Sequence, residues 1–116
     1  MTHYCGINRM KEGTDFEKKH TPFIECKDRV KANAYFEVKI STGIPHPMED
    51  AHFIHWIELY MGDLYLARVD FTQFMKPEVK MMVKAPSKEH EKFTLRALMR
   101  CNLHGVWEYE KEILLE

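Results

Sequence analysis

"KFTLRALMRCNLHGVW", Lys92 to Trp107, begins with Phe93, Leu95, Ala97 and Met99 alternating with Thr94, Arg96, Leu98 and Arg100. That is the period of a half-buried strand. The alternation then stops at a thiol and an imidazole three residues apart, Cys101 and His104, followed by Gly105. Binding groups gather on loops that a rigid scaffold holds in place, so chemistry is expected at the tip of this strand.

Strand signals continue on both sides. Val30, Ala32, Ala34, Phe36, Val38 and Ile40 alternate along "VKANAYFEVKI". "HFIHWIELYM" and "DLYLARVDF" flank a "GD" at Gly62 and Asp63, the composition of a hairpin turn. "EVKMMVKA" and "VWEYEKEIL" add two more runs, and "STGIPHPMEDAH" is a loop by its Gly43, Pro45 and Pro47. Six or seven short strands without a helical pattern predict an all-β fold, an antiparallel sandwich or barrel. The polar, aperiodic start predicts an N-terminal arm or loop at about residues 1–22 of a single domain spanning 1–116.

Composition narrows the function classes. A net charge of -1 and the absence of a Lys/Arg patch interleaved with aromatics exclude an electrostatic case for nucleic acid. No apolar run is long enough to span a bilayer and the first residues carry no secretory pattern, so the expectation is a cytoplasmic protein with no membrane partner. Three cysteines, Cys5, Cys26 and Cys101, are widely spaced and match neither a disulfide framework nor a paired-CxxC zinc site.

His20, His46, His52 and His104 all lie beside breaks in the strand pattern, as does Cys101. Imidazole and thiolate suit iron, copper or zinc, whereas magnesium and calcium take oxygen ligands. His55, within a strand, reads as a core residue or one that supports a ligand. His3 and His90 read as solvated. Trp56, Trp107 and the Met81–Met82 pair are assigned to the core or to subunit contacts.

"KKHTP", "HPMEDAHFIHWI" and "CNLHGVW" together resemble the iron-binding motifs of the superoxide reductase family, the one-iron neelaredoxins and the related iron-binding domain of desulfoferrodoxins. The resemblance runs from about His20 to Trp107. It implies an immunoglobulin-like β-barrel of seven strands and one iron ion, Fe2+/Fe3+, per subunit. The equatorial ligands it implies are His20, His46, His52 and His104, with Cys101 as the axial thiolate. Only Cys5 lies in the region that would correspond to the four-cysteine module of two-iron relatives, so that second centre is expected to be missing. The implied activity is one-electron reduction of superoxide to hydrogen peroxide, with a rubredoxin-like electron donor, in what is commonly a homotetramer. An axial thiolate pushes electron density toward the open position, and backbone N–H groups after Cys101, those of Asn102 and Leu103, are the expected tuners of that push.

Lys19 matches the lysine of the family motif that attracts the anionic substrate, with Lys18 as its neighbour and possible substitute. The family motif is Glu-Lys-His, whereas this chain reads Glu17-Lys18-Lys19-His20, so Lys18 stands in the glutamate position. Glu17 is then the candidate sixth ligand of oxidised iron only through a rearranged loop. The expectation is that it does not ligate in the usual way. Two other classes compete on the residues alone. A blue-copper-like electron-transfer protein also uses thiolate and histidine on a β-sandwich, but no Met follows His104 at short range. A structural zinc would be closed and four-coordinate, one ligand fewer than the candidates present.

Overall fold

In the computed structural model, which describes residues 6–116, the stretch from Lys92 to Cys101 is a ten-residue strand at the centre of the larger of two sheets. In chain order the elements are β1 (Ile7–Arg9), α1 (Asp15–His20), β2 (Pro22–Glu25), β3 (Arg29–Val30) and β4 (Tyr35–Thr42). They continue with β5 (Ile54–Met61), β6 (Leu64–Asp70), β7 (Glu78–Lys84), β8 (Lys92–Cys101) and β9 (Gly105–Leu115). The larger sheet runs β1-β9-β8-β5-β6 with β3 also on β9, and the smaller runs β2-β4-β7. The result is an open β-sandwich, not a closed barrel. Its pairings are antiparallel except where β1 and β3 lie parallel to β9.

The alternation predicted for β8 is realised. Leu95, Ala97 and Met99 are buried and pack with Ile57 and Leu59 of β5, Ile113 of β9, and Val38 and Ile40 of β4 in the core that joins the two sheets. Leu98, on the opposite face, is also buried, and its partner across the ladder is Glu108. The Glu108 side chain is 1% exposed, accepts from Arg96 Nε and Nη2 at 3.0 and 2.7 Å, and is paired with Arg9 as well. A buried carboxylate needs such partners, and this one ties β1 to the sheet through Arg9.

Three expectations differ in detail. The run from Val30 to Ile40 is not one strand: β3 stops at Val30, Asn33 takes a left-handed φ of 62°, and the Ala34 N–H donates to the Lys31 carbonyl at 3.2 Å. Asn tolerates that conformation, and the turn carries the chain from the larger sheet into β4 of the smaller. The predicted loop before His20 contains α1. Its signal is Thr14-x-x-Glu17, a capping box in which the Glu17 N–H donates to Thr14 Oγ1 and the Thr14 N–H to the Glu17 carboxylate. The strand count is nine among the described residues, because β1, β2 and β3 are too short to show a period. The "GD" hairpin forms as read, with Gly62 at φ 58° in the first turn position, the demand of a type II′ turn. His3 and Cys5 lie outside the described residues.

Leu59 sits at zero exposure on β5, between β6 and β8. Leu59→Ala is expected to lower unfolding stability by about 3 kcal/mol through lost burial and a residual cavity, measured by denaturant titration with an unchanged m-value.

Candidate metal centre

Four histidines reach one place from three segments. His20 is the last residue of α1, His46 and His52 lie in the connection between β4 and β5, and His104 lies in the three-residue turn between β8 and β9. That turn pairs Cys101 with Gly105, whose φ of 79° suits the glycine that ends such hairpin connections. Cys101, the last residue of β8, is thereby set beside His104, with Sγ 3.6 Å from Nδ1. Trp107 Nε1–H donates to the His104 carbonyl at 2.9 Å and holds the turn.

The four imidazoles form a square. Ring centroids are 4.8 Å apart for His20–His46, 4.7 Å for His46–His52, 5.2 Å for His52–His104 and 4.8 Å for His104–His20. The diagonal His20–His52 is 6.4 Å. Neighbouring rings meet nearly edge to face, at 81°, 76°, 70° and 73°, so the arrangement is a pinwheel. Donor atoms of His20, His52, Cys101 and His104 all lie within 4.8 Å of one another. His46 joins through its Nε2, 3.2 Å from His20 Nε2.

The protons on these rings follow from their partners. His20 Nδ1 lies 2.7 Å from the Phe16 carbonyl, and His46 Nδ1 lies 2.7 Å from the Pro47 carbonyl. A carbonyl oxygen only accepts, so in the neutral rings each Nδ1 carries the hydrogen and each Nε2 is a bare lone pair. Two lone pairs therefore face each other at 3.2 Å, and the buried Nε2 of His52 has no hydrogen-bond partner. A transition-metal cation satisfies all three nitrogens at once. The donor set of four imidazoles and one thiol suits iron, and the Nδ1–H to carbonyl bonds are the outer-shell contacts that orient metal-binding histidines.

Burial, with the neighbouring imidazoles reinforcing it, lowers the pKa of His20 to about 4, and burial does the same for His46, with lesser contributions from His52, His104 and Lys19. Both rings are thus neutral and ready to ligate near pH 7. Burial raises the Cys101 thiol, opposed by backbone N–H bonds from Leu103 and His104. The expectation that Asn102 and Leu103 supply those bonds is corrected in one member: the Asn102 N–H donates to the Phe53 carbonyl at 3.2 Å instead. Metal binding to this thiol would release its proton.

Asn102 has a role that its sequence position does not disclose. Its Oδ1 accepts from the Phe53 N–H at 3.0 Å and its Nδ2 donates to the Ala51 carbonyl at 2.9 Å. It thus clamps both neighbours of His52 to the hairpin that carries Cys101 and His104. Met48 Sδ accepts from the Ile54 N–H at 3.4 Å and steadies the same connection. The capping box at Thr14 was the only local signal for the helix that delivers His20.

Glu17 is not among the clustered donors. Its carboxylate accepts from the N–H groups of Lys11, Glu12 and Thr14 at 2.9, 3.1 and 3.0 Å. Those bonds, Lys11 and Thr14 foremost, lower its pKa to about 2. Lys18 is held in place through its backbone, its carbonyl accepting from the Gly43 N–H at 3.0 Å. Lys19 is close enough to His46 to bear on its protonation. His55 packs its ring 4.7 Å from that of Phe53 and is not among the clustered donors.

The sequence pattern described as Desulfoferrodoxin matches residues 12–110. A protein named "Putative superoxide reductase" from Methanocaldococcus jannaschii is 97% identical over 116 residues, all of both chains. A desulfoferrodoxin from Nitratidesulfovibrio vulgaris is 37% identical, covering 91% of this chain and 76% of its own. Among solved structures, a superoxide reductase (neelaredoxin) from Ignicoccus hospitalis superposes with a TM-score of 0.81 at 39% identity, covering 95% of each chain.

Because His20 and His46 titrate lower when folded than when unfolded, the unfolded chain binds more protons between about pH 4 and 6.5. The stability they contribute is therefore complete above pH 6.5 and is lost as pH falls toward 4. Denaturant midpoints of the metal-stripped protein are expected to drop across that window, and to drop less in a His20→Gln, His46→Gln double variant.

Proposed function

The chain belongs to the desulfoferrodoxin family, and from that premise we propose that it is a superoxide reductase with one iron ion held by His20, His46, His52, His104 and Cys101. The observation that carries this reading is the square of imidazoles, with the Nε2 atoms of His20, His46 and His52 bare, converging beside one thiol. The reaction is O2•− + e− + 2 H+ → H2O2. When bound, the iron supplies the electron, passing from ferrous to ferric, and an external donor restores it.

The chain's own groups prepare that site. Carbonyls of Phe16 and Pro47 lock the tautomers of His20 and His46 and make their Nε2 atoms better donors. N–H bonds from Leu103 and His104 to the Cys101 sulfur restrain how much charge the thiolate passes on. Lys19, beside His46, supplies a cation that raises the local concentration of a small anion, an effect that salt weakens. Lys18 adds to the same field. Glu17 is not a ligand in this reading: its carboxylate anchors the segment from Lys11 to Thr14.

A rubredoxin-like protein is the proposed electron donor. Assembly into a homotetramer is proposed from the family resemblance, and exposed Tyr35, Leu64, Tyr65, Phe74 and Met82 offer apolar side chains for contacts between subunits. Among the described residues no helix is long and apolar enough to cross a membrane, and a redox-sensitive thiol ligand suits a reducing cytoplasm. The blue-copper alternative is not favoured, since four imidazoles exceed what that site uses.

Purified protein is expected to hold one iron per chain and, once reduced, to be oxidised by superoxide with peroxide and no dioxygen as product. Copper with a cupric-thiolate spectrum would overturn the assignment. In pulse radiolysis Lys19→Ala should slow the second-order step several-fold and flatten its salt dependence; an unchanged rate and salt profile would remove Lys19 from the mechanism. Glu17→Gln keeps one oxygen for the Glu12 and Thr14 N–H groups, and so the capping box. It removes the carboxylate charge and the acceptor for the Lys11 N–H; the ferric thiolate-to-iron absorption band should not move. A large displacement of that band would mean the carboxylate ligates.

A further inference from the structure

Phe16 is a large apolar side chain left 39% exposed on a six-residue helix. A helix that short does not persist by its own propensity, and a partly exposed aromatic ring adds little to the core. Among the described residues its ring meets two histidines of the metal centre and Trp107. The ring centroid lies 4.6 Å from that of His20, 5.0 Å from that of His104 and 5.9 Å from that of Trp107. The His104 contact is edge to face at 83°, a favoured geometry for aromatic pairs, and the His20 contact is tilted at 46°. His20 itself is 2% exposed and has Trp107 stacked on it at 5.5 Å and 26°.

Resting on the superoxide reductase reading of this site, we propose that Phe16 is a positioning residue of the metal centre. Its ring covers His20 and His104 from the solvent side and sets the rotation of both imidazoles. The placement follows from helix geometry, because residues four apart share one face and Phe16 is four residues before His20. Two different groups of Phe16 thus act on the centre. The carbonyl orients His20 through Nδ1–H, and the ring wedges against His104, whose Nδ1 lies 3.6 Å from Cys101 Sγ. Without the ring, His104 loses one of the contacts that set its rotation, and its alignment with Cys101 shifts. Water also gains access to one edge of the square.

The carbonyl survives any substitution at this position, so side-chain variants report the ring alone. In iron-loaded, folded Phe16→Ala, the ferric thiolate-to-iron band is expected to shift and a chelator to extract iron about 10-fold faster, the scale seen when groups that orient metal ligands are removed. Phe16→Tyr keeps the ring and is expected to restore both readouts. If Phe16→Ala does not fold, Phe16→Leu replaces it with the same expectations. The inference is overturned by a folded ring-less variant with an unchanged band and release rate, or by a Phe16→Tyr that behaves like it. Iron content of the wild-type chain is measured alongside. A wild type that takes up no iron would overturn the reading of the site itself, a result distinct from an indifferent Phe16.

Discussion

Two bare imidazole nitrogens 3.2 Å apart in a protein interior repel each other unless a cation lies against both. That constraint organises the molecule. His20 and His46 cannot relieve it by exchanging a proton, because each already commits its one hydrogen to a backbone carbonyl on the far side of the ring. Burial makes a second proton costly. The folded chain therefore holds its donors in a state that favours metal over proton.

Such an arrangement needs a scaffold stiff enough to hold repelling groups together. The ladder of β5, β8 and β9, with Ile57, Leu59, Leu95 and Ile113 at zero exposure, provides the rigid part. The ligands themselves sit on connections, and each connection is tied down by a specific contact. Asn102 joins the His52 segment to the hairpin, Trp107 holds the turn at His104, and the Glu17 carboxylate with the Gly43 N–H fastens the helix that ends in His20. The metal centre is thus assembled from three segments that meet only because the sheets place their ends together.

The one-residue offset between the family motif and this chain leaves the fold unaltered and gives Glu17 a structural task. With lysine at the position before Lys19, the nearest carboxylate is Glu17. A carboxylate with three backbone donors at 2.9 to 3.1 Å is already satisfied, and drawing it toward iron would forfeit all three. The helix is built on those bonds, and His20 stands at its other end.

Much of this was legible in the residues. The alternation of Phe93 to Met99 and the Gly62–Asp63 turn are short-range patterns, set by which face of a strand meets the core and by which backbone angles a turn needs. Three quoted motifs sufficed for the family resemblance and for all five donors as candidates. Tertiary structure decided what depends on contacts between distant segments: the square of rings, the facing nitrogens of His20 and His46, the clamp made by Asn102, and the contact of Phe16 with His104. It also decided that the run from Val30 breaks at Asn33 to change sheets, because a switch between layers is set by where the second layer lies and not by local periodicity. Side-chain types limit which atoms can bind a metal; only packing fixes the distances and the free lone pairs that make them do so.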